Sequence, residues 1–133
     1  MFLPSIRIGV ERLPERWVPA SGRVVELAAG RRFDLALDLA ARGLAVTVTD
    51  VDARVLSAPP PLAAFTDDLH RPDLARYRGA VLLVARRLPE ELQLAAARLA
   101  HAAGVPLAFR PLKDELADVG PVTLLEGWRL LNP

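Results

Sequence analysis

Cysteine is absent from the 133 residues, which excludes disulfide bonds, thiol catalysis and thiolate metal ligands. Lysine, asparagine, glutamine and methionine occur once each, as Lys113, Asn132, Gln93 and Met1. Few thermolabile residues and 12 prolines are typical of a hot-growing source, although a GC-rich genome produces the same composition. Because no window approaches about 18 uncharged apolar residues and no secretory signal is evident, a soluble cytoplasmic protein without a membrane partner is expected.

Neither positive nor negative charge predominates in the sequence. Positive and negative side chains nearly cancel at a net charge of +1, and no long run of like charges occurs, so binding to nucleic acid is not indicated. The length predicts one domain over residues 1–133, too short for a nucleotide domain plus a separate substrate domain. A second substrate would then be held by the same body or by a partner chain. A homodimer could form through a C-terminal hairpin that carries Trp128.

The pattern of apolar residues predicts two β-α-β units. Residues 24–29 (VVELAA) read as a buried strand, RRFDLALDLAARG as a helix that stops at Gly43, and LAVTVTDVD as the next strand. A second unit follows, with strand GAVLLVA, a helix from Pro89 to Gly104 and strand VPLAF. These units predict a Rossmann-like α/β fold of three αβα layers, whose mostly parallel sheet has about five strands in the order 3-2-1-4-5. A hairpin turning at Glu126 and Gly127 is predicted at the end.

Acidic residues follow three of the predicted strands. Glu26 lies at the end of the first strand, Asp50 at the end of the second, and Asp67 and Asp68 at the end of the brief strand LAAFTD. Ligands of parallel α/β sheets bind outside these carboxyl ends. Asp50 also lies about twenty residues after Gly30, the separation expected of a carboxylate that binds ribose hydroxyls. The alternative is that these acids cap helices or lie solvated in loops.

This arrangement resembles the S-adenosylmethionine-dependent methyltransferases, whose first motif is an acid followed by alternating glycines. ELAAGRR keeps the acid Glu26 and the middle glycine Gly30, but it has Ala28 and Arg32 where the motif has its other glycines. The resemblance implies S-adenosylmethionine as the cofactor. The residues that it implies for cofactor binding are Glu26, Ala28, Gly30, Asp50, Val51, Asp67 and Asp68.

A closer resemblance is to uncharacterised protein family 0146, short and mainly archaeal proteins with a methyltransferase-like Rossmann fold. The matching segments are ELAAGRRFDLA, VTVTDVD, FTDDLHRP, LLVARRLPEEL and GWRLLNP, in that order. This resemblance implies the fold and a ligand pocket, but no reaction that could be transferred to this chain. No residue is therefore assigned a catalytic role.

Several charged residues could contact an anion or a methyl acceptor. Arg31 and Arg32, placed at the start of the first helix, could bind a phosphate or carboxylate together with the helix dipole. Arg86, Arg87 and Glu90 follow the fourth strand, where methyltransferases place residues around the acceptor. A phosphate at Arg31 and Arg32 would favour a dinucleotide such as NAD over S-adenosylmethionine, which has no phosphate.

The leading hypothesis is a small protein that binds a nucleoside-containing ligand and is similar to methyltransferases. Two alternatives stay open: an interaction module that has lost its cofactor, and a regulator that binds NAD. No metal is expected, because His70 beside Asp67 and Asp68 offers too few ligands in one loop.

Overall fold

The computed structural model describes residues 12–133, and for Asp114 only the backbone. This part of the chain contains seven strands and two α-helices. Their order is β1 (Arg23–Glu26), α1 (Asp34–Ala41), β2 (Ala45–Asp50), β3 (Ala63–Thr66), β4 (Leu82–Leu88), α2 (Glu90–Ala103), β5 (Leu107–Pro111), β6 (Thr123–Leu125) and β7 (Trp128–Leu131). Short 3-10 helices cover Glu15–Trp17, Ala53–Ser57, Leu74–Arg76 and Leu112–Asp114.

The strands form one sheet in the order β3-β2-β1-β4-β5-β7-β6. The first five are parallel, and β7 and β6 continue the sheet in antiparallel pairing. The predicted order 3-2-1-4-5 and the C-terminal hairpin are therefore confirmed, and the hairpin raises the number of strands to seven. Glu126 and Gly127 form the predicted turn with φ angles of 54° and 84°, the left-handed pair that a two-residue hairpin requires.

Each face of the sheet has its own apolar core, because successive strand residues point to opposite faces. Val24 packs on the α1 face with Leu35 and Leu39 of that helix. Val25 packs on the α2 face, in the cluster that contains Leu99. Helix α1, the sheet and helix α2 thus form the three layers of the predicted αβα architecture.

The carboxyl edge of the sheet differs from the prediction in three places. Strand β4 runs to Leu88, so Arg86 and Arg87 lie within it and do not follow it. Strand β1 ends at Glu26 and not at residue 29, because Ala28 has a φ of 53°, which a strand does not accommodate. Helix α1 begins at Asp34, so Arg31 and Arg32 lie in the preceding turn and not at the helix start. Helix α2 matches its predicted span and ends at Gly104, which caps it with a φ of 70°.

The connections from β2 to β3 and from β3 to β4 contain 3-10 turns where a doubly wound fold has helices. Pro59, Pro60 and Pro61, which disfavour a helix, contribute to the first of these irregular segments. Both segments reach the carboxyl edge, where they border the candidate site. Within residues 12–133, no helix has the length and apolar character needed to span a bilayer.

Candidate ligand-binding site

The loop between β1 and α1 is fixed to the two neighbouring strands. Leu27 N donates to Val84 O at 2.7 Å, and Ala29 N donates to Thr49 O at 3.0 Å. Between these anchors, Ala28 takes the left-handed conformation that glycine usually supplies. The backbone at Ala28 therefore has the conformation expected of glycine, although the glycine of the methyltransferase motif is missing.

Asp50 connects this loop to the end of β2. Its Oδ2 accepts a hydrogen bond from Gly30 N at 2.8 Å, and its Oδ1 accepts one from Asp52 N at 2.9 Å. An ionised carboxylate has about four acceptor positions, so each oxygen retains one for a ligand hydroxyl. Asp50 is thus held in one orientation at the mouth of the site.

The two acids after β3 are held in a similar way. Asp67 Oδ2 accepts from the Tyr77 hydroxyl at 2.5 Å and from Asp73 N at 3.1 Å, and Asp68 Oδ1 accepts from His70 N at 2.9 Å. Burial and the bond to Asp67 raise the pKa of Tyr77, so this phenol stays protonated and remains a donor. These bonds fix the backbone of the β3–β4 connection against the end of the sheet.

A cleft of about 250 Å³ lies between these loops and the first turn of α2. Its walls are mainly apolar, and Val51 stands beside Asp50 with 69% of its surface exposed. The lining consists of Ala28, Thr49, Asp50, Val51, Asp67, Asp68, Leu69, His70 and Leu92. We refer to this cavity as the edge cleft.

Five residues of the predicted cofactor site meet at the edge cleft, and two do not. Ala28, Asp50, Val51, Asp67 and Asp68 line it. Gly30 lies outside the lining, with its N–H bound to Asp50.

Glu26 is the second residue outside the lining. It is only 1% exposed and lies on the α1 face of the sheet, with Oε2 3.9 Å from Arg86 Nη2. Burial raises the pKa of Glu26 to about 8, and the nearby Arg86 charge offsets only part of that rise. Glu26 therefore carries a proton at neutral pH.

Arg86 is the buried centre of a polar cluster at the start of α1, whose other acid, Asp34, is partly exposed. Its Nη1 donates to Asp34 Oδ1 at 2.6 Å, and its Nη2 donates to Arg32 O at 3.0 Å. The sequence suggested that Arg86 contacts a methyl acceptor or an anion. Its side chain is only 4% exposed, so it is not available for such a contact. It joins β4 to the β1–α1 loop.

The other charged residues predicted around the site are exposed. None of the four lines the edge cleft: Arg31 and Arg32 precede α1, Arg87 lies in β4, and Glu90 begins α2. The N-terminus of α1 already has an acid in its first turn, Asp34. A carboxylate there already interacts favourably with the helix dipole.

Sequence reasoning missed Thr49, Leu69 and Leu92 as lining residues and considered His70 only as a metal ligand. Thr49 and Leu69 are next to the predicted residues Asp50 and Asp68, and this adjacency is the only local signal for them. Leu69 and Leu92 reach the cleft from an irregular loop and from a helix distant in sequence, so tertiary packing decides their position. Among the described residues, no group of three or more His, Asp or Glu side chains is placed to hold a metal ion.

We expect Ala28→Gly to raise the free energy of unfolding by up to about 1 kcal/mol. Glycine removes the cost of a left-handed alanine, which exceeds the added freedom of glycine in the unfolded chain. Chemical denaturation measures this change.

The matched control is Ala29→Gly. Ala29 is 6% exposed and is not in the left-handed region, so its replacement should lower stability by about 1 kcal/mol. Equal losses in the two variants would show that Ala28 is not strained.

Solved structures with this architecture belong to more than one enzyme class. A Methanosarcina mazei protein named as a SAM-dependent methyltransferase superimposes with a TM-score of 0.55 at 10% identity, covering 81% of this chain and 57% of that one. A Rhodobacter sphaeroides protein provisionally named as a zinc-dependent alcohol dehydrogenase gives 0.57 at 17% identity, covering 77% and 45%. The chain thus spans about half the length of either protein, and at these identities the likeness shows the Rossmann-like fold alone.

Sequence relatives are closer. A UPF0146 protein of Halobacterium salinarum is 42% identical over 96 residues, which are 72% of this chain and 73% of the relative. One from Archaeoglobus fulgidus is 37% identical over 97 residues, 73% of each chain. The family's sequence model matches residues 15–123. The resemblance inferred from the sequence is confirmed, and the chain belongs to the uncharacterised protein family UPF0146.

Proposed function

We propose that this protein binds an adenosine-containing ligand, S-adenosylmethionine or its product S-adenosylhomocysteine, in the edge cleft. The observation that carries the proposal is Asp50, a carboxylate fixed by Gly30 N and Asp52 N at the rim of an apolar cavity. Its remaining acceptor positions suit the two hydroxyls of a ribose. The methyltransferase named among the proteins of similar fold supports the same ligand class.

The shape and chemistry of the edge cleft fit the nucleoside part of such a ligand. Val51 and Leu69 provide apolar surface for a base, and Asp68 provides an acceptor for an exocyclic amino group. At about 250 Å³, the cleft is slightly smaller than the roughly 300 Å³ at which pockets for drug-sized ligands begin. The rest of a larger ligand would therefore extend out of the cleft towards the β1–α1 loop.

The NAD hypothesis is less well supported by the same geometry. A dinucleotide places its pyrophosphate at the N-terminus of the helix after β1. Here Asp34 lies in the first turn of that helix and carries its own negative charge, while the Gly30 N–H is bound to Asp50. Only the exposed Arg31 and Arg32 favour a phosphate.

The proposal concerns binding, and it assigns no catalytic residue. Methyl transfer can be accelerated largely by holding donor and acceptor in line, so the absence of an assigned base does not argue against it. When bound, S-adenosylmethionine would supply the methyl group, and this chain would supply the orientation of the nucleoside.

Isothermal titration calorimetry of the wild type and Asp50→Asn tests the proposal. We expect S-adenosylhomocysteine to bind the wild type with a Kd below about 1 mM, and Asp50→Asn to weaken binding at least tenfold, about 1.4 kcal/mol. An amide has only one acceptor oxygen, so Asn cannot accept from Gly30 N, Asp52 N and a ribose at once. Adenosine, ADP and NAD are titrated in parallel.

Asp52→Asn is the matched control, because its carboxylate pairs with Arg54 and does not line the edge cleft. It should bind S-adenosylhomocysteine as the wild type does. Wild-type protein that shows no heat at millimolar ligand would contradict the proposal and favour an interaction module without cofactor. Much tighter binding of ADP than of adenosine would favour the NAD-type regulator.

A further inference from the structure

A second cavity of about 230 Å³ runs along α2 beside the β3–β4 connection. It shares the side chains of Leu69 and His70 with the edge cleft but extends away from the carboxyl edge, along the length of the helix. Its lining consists of Leu69, His70, Pro72, Leu74, Ala95, Arg98, Leu99 and Ala102. We call this cavity the flank groove.

The flank groove exists because of the shortened β3–β4 connection. In a doubly wound fold, the helix of this crossover packs against its neighbour on the same face of the sheet. Here the connection contains the 3-10 turn Leu74–Arg76, which contacts α2 near one end of the groove. Ala95 and Leu99 are buried and form the floor of the groove. The half-buried Pro72 and Leu74 and the exposed Ala102 form its walls.

Arg98 makes the flank groove electrostatically asymmetric. Other arginines of this chain pair with acids: Arg42 with Glu15, and Arg54 with Asp52. Arg98 is exposed and makes no hydrogen bond or ion pair with another described residue. Residues three and four positions away from it on α2 include no acid, and neither does the lining of the groove. An apolar cavity thus has a guanidinium at its rim and no carboxylate to neutralise it.

We propose that the flank groove is a second ligand site, which binds a small apolar molecule carrying one carboxylate. The apolar body contacts Pro72, Leu74 and Ala102, and the carboxylate accepts hydrogen bonds from the Arg98 guanidinium. One guanidinium matches one carboxylate in bidentate geometry, whereas a phosphate dianion would require further cations. His70, exposed at the junction with the edge cleft, is a second donor within the lining. This site does not depend on the proposed nucleoside ligand.

The probe is 2-naphthoate, and 2-naphthamide is its uncharged match. Both are titrated into ¹⁵N-labelled full-length protein, and amide shifts are followed by NMR. We expect 2-naphthoate to shift the amides of Leu74, Arg98 and Ala102 and to bind at least fivefold more tightly than 2-naphthamide, because it adds a charge-assisted hydrogen bond. Arg98→Gln should remove this preference, while Arg16→Gln, at a distant exposed arginine, should preserve it.

Filling the groove tests the site without altering charge. Ala102 is exposed on α2, so Ala102→Phe places a ring in the flank groove at little risk to folding. It should weaken 2-naphthoate binding at least fivefold and leave S-adenosylhomocysteine binding unchanged. Equal affinity for the two probes, an unchanged preference in Arg98→Gln, or shifts confined to Ala28 and Val51 would overturn the proposal. The nucleoside proposal is judged separately by its own titration.

Discussion

Replacing Arg86 with methionine is expected to lower the free energy of unfolding by about 3 kcal/mol, because it removes two charge-assisted hydrogen bonds made by a buried guanidinium. Arg86 is 4% exposed and donates to Asp34 Oδ1 and Arg32 O. Methionine fills a similar volume but leaves both acceptors without their donor. Urea denaturation measured by circular dichroism gives the difference.

Arg87→Met is the matched control, since Arg87 is the exposed neighbour on the same strand. Its loss should stay within about 1 kcal/mol, as is usual for surface charges. A loss below about 1 kcal/mol in Arg86→Met would show that the guanidinium does not hold the β1–α1 loop to β4.

The stability of the wild type is expected to fall as the pH rises from about 4.5 to about 8, and Glu26→Gln should remove this fall. Burial raises the pKa of Glu26 from its ordinary value of 4.5 to about 8 in the folded chain. Between these values the folded state holds a proton that the unfolded state has released, so raising the pH favours unfolding. At about 1.4 kcal/mol per pH unit, the fall is on the order of 5 kcal/mol.

Glu15→Gln serves as the control for this pH dependence. The hydrogen bond from Arg42 lowers the pKa of the exposed Glu15, so the stabilising effect of that pair is lost only below about pH 4.5. Glu15→Gln should therefore keep the wild-type slope between pH 5 and pH 8. Parallel curves for the wild type and Glu26→Gln would contradict a buried, protonated Glu26.

The sequence predicts the sheet well because the relevant signals are local. Gly43 and Gly104 mark the ends of both helices, and β-branched residues mark the strand after Gly43. Glu126 and Gly127 suit the tight turn that the hairpin contains. Strand order then follows from the right-handed crossover of each β-α-β unit.

The interior of the candidate site is less predictable, because it depends on register. Glu26 pairs with Val84 in the sheet, so Arg86, two residues later, emerges on the same face as Glu26. The register of β4 against β5 also shifts between Ala85 and Leu88, an irregularity that no local pattern in the sequence reveals. The sequence therefore identifies Glu26 and Arg86 as charged residues near the strand ends. It does not reveal that both side chains are buried on the same face of the sheet.

The most direct test of the central claim, that the edge cleft binds an adenosine-containing ligand, is an NMR titration of the ¹⁵N-labelled protein with S-adenosylhomocysteine. The predicted result is saturable shifts concentrated at the amides of Ala28, Gly30, Val51 and Leu69, and their loss in Asp50→Asn at the same ligand concentration. Unchanged spectra at millimolar ligand, or shifts that persist in Asp50→Asn, would contradict it.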